Sequence, residues 1–242
     1  MHDTLSSASG ARATGRQRHQ VWRTLFRRQA ARLPGAMSRA WLEGLRRSGL
    51  PPDAAPRHAE VSRRLWNERG WRIETVAGLL PVEDFFQLLR ERRFPATDWL
   101  RSPQDLAYTP APDAFHDLFG HVPQLYVPEL SGFTEALGEA ARGRGCEELL
   151  GLERLYWHTL EFGLVRERGG LRAIGAGLAS SSAELQRALG SPEVWRRPLG
   201  PWVRATGFDA EHQQEHYAVA EDLGSLIDAA PELRRRMNTE SH

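Results

Sequence analysis

Large apolar residues recur at helical spacing along most of this chain. Trp22, Leu25, Phe26, Ala30 and Leu33 fall on one face of a first predicted helix. A second, roughly Ser38–Arg47, is stopped by Gly49 and the Pro51-Pro52 pair, and Val61, Leu65 and Trp66 mark a third that ends near Gly70. From Trp71 to Val76 large apolar and polar residues alternate, the period of a half-buried strand. Pro81 suits the first turn of a further helix, where Glu83 and Asp84 favour the positive end of the dipole. Phe85, Phe86, Leu88 and Leu89 form its expected buried side. A short extended piece, about Phe94–Leu100, leads into a proline-bounded loop.

Beyond that loop the pattern predicts helices around Ser131–Arg142 and Glu147–Val165, a brief strand at Leu171–Ile174 and an adaptable turn at Gly175-Ala176-Gly177. Ser181 and Glu184 have capping-box spacing and open a helix through Leu189. The last part reads as a strand at Trp202–Phe208 with short helices after Glu211. Residues 1–19 are polar and small and read as a disordered tail. Residues 20–230 read as one domain and 231–242 as a second tail. The expected class is mainly α with a few short β-strands, an α+β single domain without internal repeats.

Composition removes several kinds of chemistry. A formal net charge of +1, with basic residues dispersed beyond the first fifty positions, gives no electrostatic footprint for nucleic acid. All 32 cations are arginines, so neither a Gly-Lys-Ser/Thr phosphate loop nor a lysine Schiff base can exist. The single Cys146 cannot form an internal disulfide, a thiolate zinc cluster or a Cys-x-x-Cys pair, which fits a reducing cytoplasm. No apolar run approaches the roughly 18–20 residues of a membrane span.

What remains is a metal constellation. His116 and His121 flank Asp117-Leu118-Phe119-Gly120, and Glu161 follows forty residues later. Two imidazoles and a carboxylate can cap one face of a ferrous ion and leave the other face open. Residues five apart stand about 140° apart around an ideal helix, so the pair cannot share a helical face. A helix ending near Phe119, with Gly120 and Pro123 turning the chain, would let the second imidazole swing back. Glu161 is expected from the middle of a helix. On spacing alone these histidines also fit surface or capping roles. His158, three residues before Glu161, is a rival ligand, and His212 and His216, four apart, could hold zinc or form a solvated polar face.

The segments His116-Asp117-Leu118-Phe119-Gly120-His121-Val122-Pro123 and Tyr156-Trp157-His158-Thr159-Leu160-Glu161-Phe162-Gly163-Leu164 resemble the pterin-dependent aromatic amino acid hydroxylases, above all the short bacterial phenylalanine hydroxylases. Val76–Leu80, Phe94–Arg101, Tyr108-Thr109-Pro110 and Gly175–Ser181 match in the same order and spacing, so the likeness spans about Trp22 to Tyr217. The resemblance implies an iron monooxygenase that converts L-phenylalanine to L-tyrosine with O2 and tetrahydrobiopterin. His116, His121 and Glu161 would ligate Fe(II). The pterin would lie against Phe85, its edge meeting backbone around Gly78, Leu79 and Leu80, with Asp117 reaching toward it through water and Tyr156 beside it. Arg101 would clamp the substrate carboxylate, Thr109 and Ser180 would complete the head-group contacts, and Pro112, Trp157 and Phe162 would wall the ring.

Some residues depart from the family pattern. His158 stands where relatives usually have Phe, Met or Tyr, Gln214-Glu215-His216-Tyr217 replaces Gln-Pro-Leu-Tyr, and Ala179 and Ser182 vary a segment that frames the substrate. These bear on the ring position attacked, so a phenylalanine 3-hydroxylase or tryptophan 5-hydroxylase is the nearest alternative. A non-catalytic pterin- or amino-acid-binding protein and a zinc hydrolase built on His212 and His216 are the others. Too few residues precede Trp22 or follow Tyr217 for the regulatory domain and tetramerisation helix of animal relatives, so a cytoplasmic monomer is expected.

Overall fold

The computed structural model describes residues 12–107, 109, 111–210 and 212–229. Three helices open the chain: α1 (Gly15–Ala30), α2 (Arg39–Ser48) and α3 (His58–Arg69). Trp22 and Leu25 are buried, as their spacing predicts, and Trp41 on α2 is buried with them. The Ser38 hydroxyl caps α2 by accepting the Trp41 N–H, and Gly49 and Gly70 end α2 and α3 in left-handed backbone. The tail expected over residues 1–19 is corrected from residue 12 onward. Ala13 is buried and donates its N–H to Leu100 O at 2.9 Å, and α1 begins at Gly15. After Gly15 its first turn holds Arg16, Gln17 and Arg18, good helix formers that composition alone reads as disorder. Residues 231–242 lie outside the described ones. Trp66 also departs from its expected core position: it is 47% exposed, with the Arg72 guanidinium 4.1 Å over its ring.

β1 (Arg72–Val76), α4 (Val82–Arg90) and β2 (Arg93–Thr97) form a β–α–β unit whose strands pair in parallel, Arg72 opposite Arg93 through Val76 opposite Thr97. Phe86 and Leu89 bury the inner face of α4, while Phe85 is only partly covered. After the proline-bounded loop the chain winds into a π-turn (His116–His121) that runs on into α5 (Val122–Leu125). Then come α6 (Pro128–Ala141) and α7 (Cys146–Tyr156), which continues into a second π-turn (Trp157–Glu161). The helix expected to reach Val165 therefore stops near Phe162, and Leu164 and Val165 belong to a strand.

That strand, β3 (Leu164–Glu167), pairs antiparallel with β4 (Gly170–Ala173) and parallel with β6 (His216–Ala220); β5 (Trp195–Pro198) pairs in parallel on the far side of β6. Gly175-Ala176-Gly177 opens a short helix, α8 (Ala176–Ser180), rather than a turn. Ser181 caps α9 (Ser182–Gly190) by accepting the Glu184 N–H. The Glu184 carboxylate instead accepts the Gln214 N–H and the Tyr217 hydroxyl, so only half of the capping box forms. The strand expected at Trp202–Phe208 is a helix over part of its length, α10 (Trp202–Ala205); after Glu211, itself outside the described residues, β6 comes first, and one of the short helices expected there follows as a 3-10 turn at Gly224–Ala229. Tyr217, Ala218, Val219 and Ala220 are all buried. A strand buried on both faces loses the alternation by which strands are recognised.

An aromatic cluster fixes the first π-turn from behind. Phe115 and Phe119 stack at 4.7 Å; Trp22 meets Phe115 edge-on at 5.3 Å and Phe26 meets Phe119 edge-on at 5.1 Å. Among the described residues no helix is long and apolar enough to cross a membrane.

Candidate metal centre

The backbone stays helical through His121, so the chain does not turn at Gly120 as expected. It widens instead. In π winding the hydrogen bonds run five residues back, which brings positions five apart close to one line and sets His116 and His121 on the same face. The second π-turn shows the same bond directly, Phe162 N donating to Trp157 O at 3.0 Å. Glu161 is its last residue, not the middle of a regular helix. α8 presses against both turns. A Cβ on Gly120 would come within 2.8 Å of Ala176 O, and one on Gly175 within 2.1 Å of Glu161 O.

The three side chains converge. His121 Nε2 lies 2.8 Å from Glu161 Oε1, His116 Nε2 lies 3.5 Å from Glu161 Oε2, and the two Nε2 atoms are 3.2 Å apart. Among the described residues this is the group of three metal-ligating side chains whose donor atoms all lie within 4.8 Å of one another. Each imidazole is held through its other nitrogen: His116 Nδ1 is 2.9 Å from Ser180 Oγ, and His121 Nδ1 is 3.1 Å from Gln124 Oε1. Such partners leave Nε2 free to donate its lone pair, which is what a metal site requires. The residues present therefore fit a ferrous ion bound by two neutral imidazoles and a carboxylate.

The charges of the three groups are tied together in the metal-free site. Burial alone would raise the Glu161 carboxyl, but the two imidazoles beside it hold it well below the usual range. Burial would lower His116, yet the Glu161 carboxylate outweighs it and pushes this imidazole up to about 8. Burial, reinforced by Glu161 and Asp117, pushes the Tyr156 hydroxyl well up.

The other predicted residues divide into groups. Phe85 meets Tyr156 edge-on at 5.0 Å, and Tyr156 stacks near His121, so these two reach the metal centre. Gly78, Leu79 and Leu80 lie in the β1–α4 loop, with Leu79 exposed. The Asp117 carboxylate is turned onto Thr97, accepting its N–H at 2.7 Å and its hydroxyl at 2.9 Å through one oxygen. Arg101 is buried and bidentate to Asp113, at 2.7 and 2.9 Å, so one edge of its guanidinium is already occupied. Thr109 donates to Ala111 O, and Pro112 O lies 3.4 Å from the Thr97 hydroxyl oxygen, whose hydrogen goes to Asp117. Ser180 is committed to His116. Trp157 tilts against Phe162 at 4.9 Å, stacks on Phe208 at 4.1 Å and donates Nε1–H to Gln214.

The rival histidines do not join. His158 is buried, but its Nε2 faces Thr206 O at 3.2 Å and its ring tilts over Trp202. His212 Nδ1 pairs with Asp209 at the surface, and His216 lies on β6. Sequence reasoning missed Asp113, Gln124, Thr97, Phe94 and Phe208. Asp113 was the findable one. An aspartate three residues before His116 has N-cap spacing, and its Oδ1 indeed accepts the His116 N–H at 3.1 Å.

The family profile described as biopterin-dependent aromatic amino acid hydroxylase matches residues 14–240. A phenylalanine-4-hydroxylase of Ralstonia nicotianae is 40% identical over 215 residues, 87% of this chain and 68% of the relative. A crystal structure of the Chromobacterium violaceum phenylalanine hydroxylase, with bound iron(III) and oxidised 7,8-dihydrobiopterin, superposes with a TM-score of 0.86 at 36% identity, covering 93% of this chain and 84% of that one. The same enzyme bound to cobalt gives 0.85 at 37% identity, covering 90% and 82%.

Proposed function

The chain belongs to the biopterin-dependent aromatic amino acid hydroxylase family, and from that membership we propose that it hydroxylates L-phenylalanine to L-tyrosine, as an iron monooxygenase using O2 and tetrahydrobiopterin. The observation that carries the reading is the triangle of half-buried His116 with buried His121 and Glu161, on two π-turns whose side chains converge. Fe(II) and the reduced pterin, when bound, supply oxygen activation and the two electrons it needs.

The protein supplies position. His116 Nε2, His121 Nε2 and Glu161 would hold the metal from one side, and their shared location leaves its other positions open. Phe85, edge-on to Tyr156, offers an aromatic face to a flat pterin ring, and the backbone of Gly78, Leu79 and Leu80 offers hydrogen bonds to its edge. Asp117 supports that side through Thr97 rather than by standing free. Asp113 holds Arg101 by Nε and Nη2, so the remaining guanidinium hydrogens are the ones available to a substrate carboxylate. Burial pushes the Asp113 carboxyl up, but the Arg101 hydrogen bonds and charge outweigh it and keep it ionised. Thr109 and Ser180 lie in the segments proposed to meet the amino-acid head group, and Pro112, Trp157 and Phe162 to wall its ring. Holding the ring beside the metal and excluding water is how these side chains would accelerate the reaction. The single exposed Cys146 suits work in the cytoplasm.

Oxygen uptake with added Fe(II), tetrahydrobiopterin and phenylalanine, followed by product identification, tests the reading. Tyrosine as the main product is expected. No uptake overturns it, and meta-tyrosine or 5-hydroxytryptophan as main product moves it to the corresponding relative.

A further inference from the structure

Gln124 lies between the halves of the metal centre and is buried against both. Its side-chain nitrogen donates to Leu160 O at 2.7 Å and to Ile174 O at 2.8 Å, while its side-chain oxygen is 3.1 Å from His121 Nδ1. Leu160 immediately precedes Glu161, at a helix end where carbonyls lose intrahelical donors. Ile174 leads into α8, the helix that carries Ser180 onto His116. We infer that Gln124 is a positioning residue that selects the metal-binding tautomer of His121 and clasps the three segments carrying the ligands and their support. This rests on the reading of His116, His121 and Glu161 as an iron centre.

The orientation of the Gln124 amide decides the tautomer. Both backbone carbonyls can only accept, so the amide nitrogen must face them. The reverse orientation would set its oxygen against two carbonyl oxygens and leave them unsatisfied in a buried site. The oxygen facing His121 can then only accept, so Nδ1 must carry the hydrogen and Nε2 the lone pair. That is the atom 2.8 Å from Glu161 and 3.2 Å from His116 Nε2. A neutral imidazole without such a partner divides between two tautomers, and the one with its hydrogen on Nε2 cannot ligate through that atom. The Tyr156 hydroxyl is the other polar group near Nδ1, at 3.5 Å, too far to impose the choice.

The test is Co(II) titration of metal-free protein, read from the visible absorption of the bound ion, together with melting temperatures. Gln124→Leu removes all three hydrogen bonds and should weaken Co(II) binding by about 10–100-fold, the range for lost supporting partners of a ligand histidine. Gln124→Glu keeps an acceptor for Nδ1–H but removes both donors. It should hold affinity within about threefold of wild type, as carboxylate–histidine–metal arrangements do, while melting at least as early as Gln124→Leu. Wild-type affinity in Gln124→Leu, or losses in both variants that simply follow their melting temperatures, would overturn the inference. A wild-type protein that takes up no Co(II) would sink the metal reading and this inference with it, an outcome distinct from a working site indifferent to Gln124.

Discussion

The two groups of histidines in this chain have the same chemistry and opposite surroundings. His116 and His121 sit on a π-turn, each with Nδ1 engaged and Nε2 turned inward to Glu161. His158 and His216 sit around Trp202, and neither Nδ1 has a hydrogen-bond partner among the described residues; His212 faces Asp209 at the surface. Spacing alone ranks them wrongly, since the four-residue interval of His212 and His216 is the commoner metal-binding one. What separates them is convergence: His158 and His212 also have one nitrogen engaged, by Thr206 O and by Asp209, but among the described residues it is His116, His121 and Glu161 that bring three donor atoms together.

The sharpest contrast is removal of a ligand from each group. His121→Ala or Glu161→Ala should abolish stoichiometric Fe(II) binding and pterin-dependent turnover, whereas His212→Ala should leave both unchanged; calorimetric metal titration decides, and the reverse pattern would restore the zinc alternative. Next comes Asp113→Ala. Asp113 has no exposed surface and its Arg101 partner is 7% exposed, so removing one member strands a buried charge and should cost about 3–5 kcal/mol in denaturant unfolding.

A smaller effect separates the groups by pH. His116 is raised to about 8 by Glu161, so it must lose a proton before it can ligate. Apparent Fe(II) affinity should fall about tenfold per pH unit below about 8, with proton release on binding. The sign for stability follows from the same shift. A histidine whose folded pKa lies above its unfolded value stabilises the metal-free protein fully below about 6.5, and that contribution fades as pH rises through about 8. Metal-loaded protein should not show that fade. Smallest of all, His158→Phe exchanges a buried imidazole with an unpartnered nitrogen for an apolar ring against Trp202. It should change stability by no more than about 1 kcal/mol and leave metal affinity alone. A large loss of iron would return His158 to the centre.

Legibility in the sequence followed the physics of each element. Helices with one buried stripe and clear stops, such as those around Trp22 and Trp41, were readable from spacing and from Ser38 and Gly49. β6 was not, because a strand buried on both faces has no alternation to detect. The ligand set was legible as residue types in a family pattern. Its geometry was not, since π winding is invisible to a 3.6-residue period and makes a five-residue interval equivalent to a turn. Gln124 carried no sequence signal: it is a polar residue in a four-residue helix, and only the fold reveals that Leu160, Ile174 and His121 surround it.

The central claim, that the π-turn triangle is the iron centre of a phenylalanine hydroxylase, is tested most directly by adding Fe(II) stepwise to metal-free protein and measuring tyrosine formed with tetrahydrobiopterin and oxygen. Activity should rise linearly and level off at one iron per chain, and Glu161→Ala should stay inactive at every point. Tyrosine formation without iron, or undiminished formation by Glu161→Ala, would contradict it.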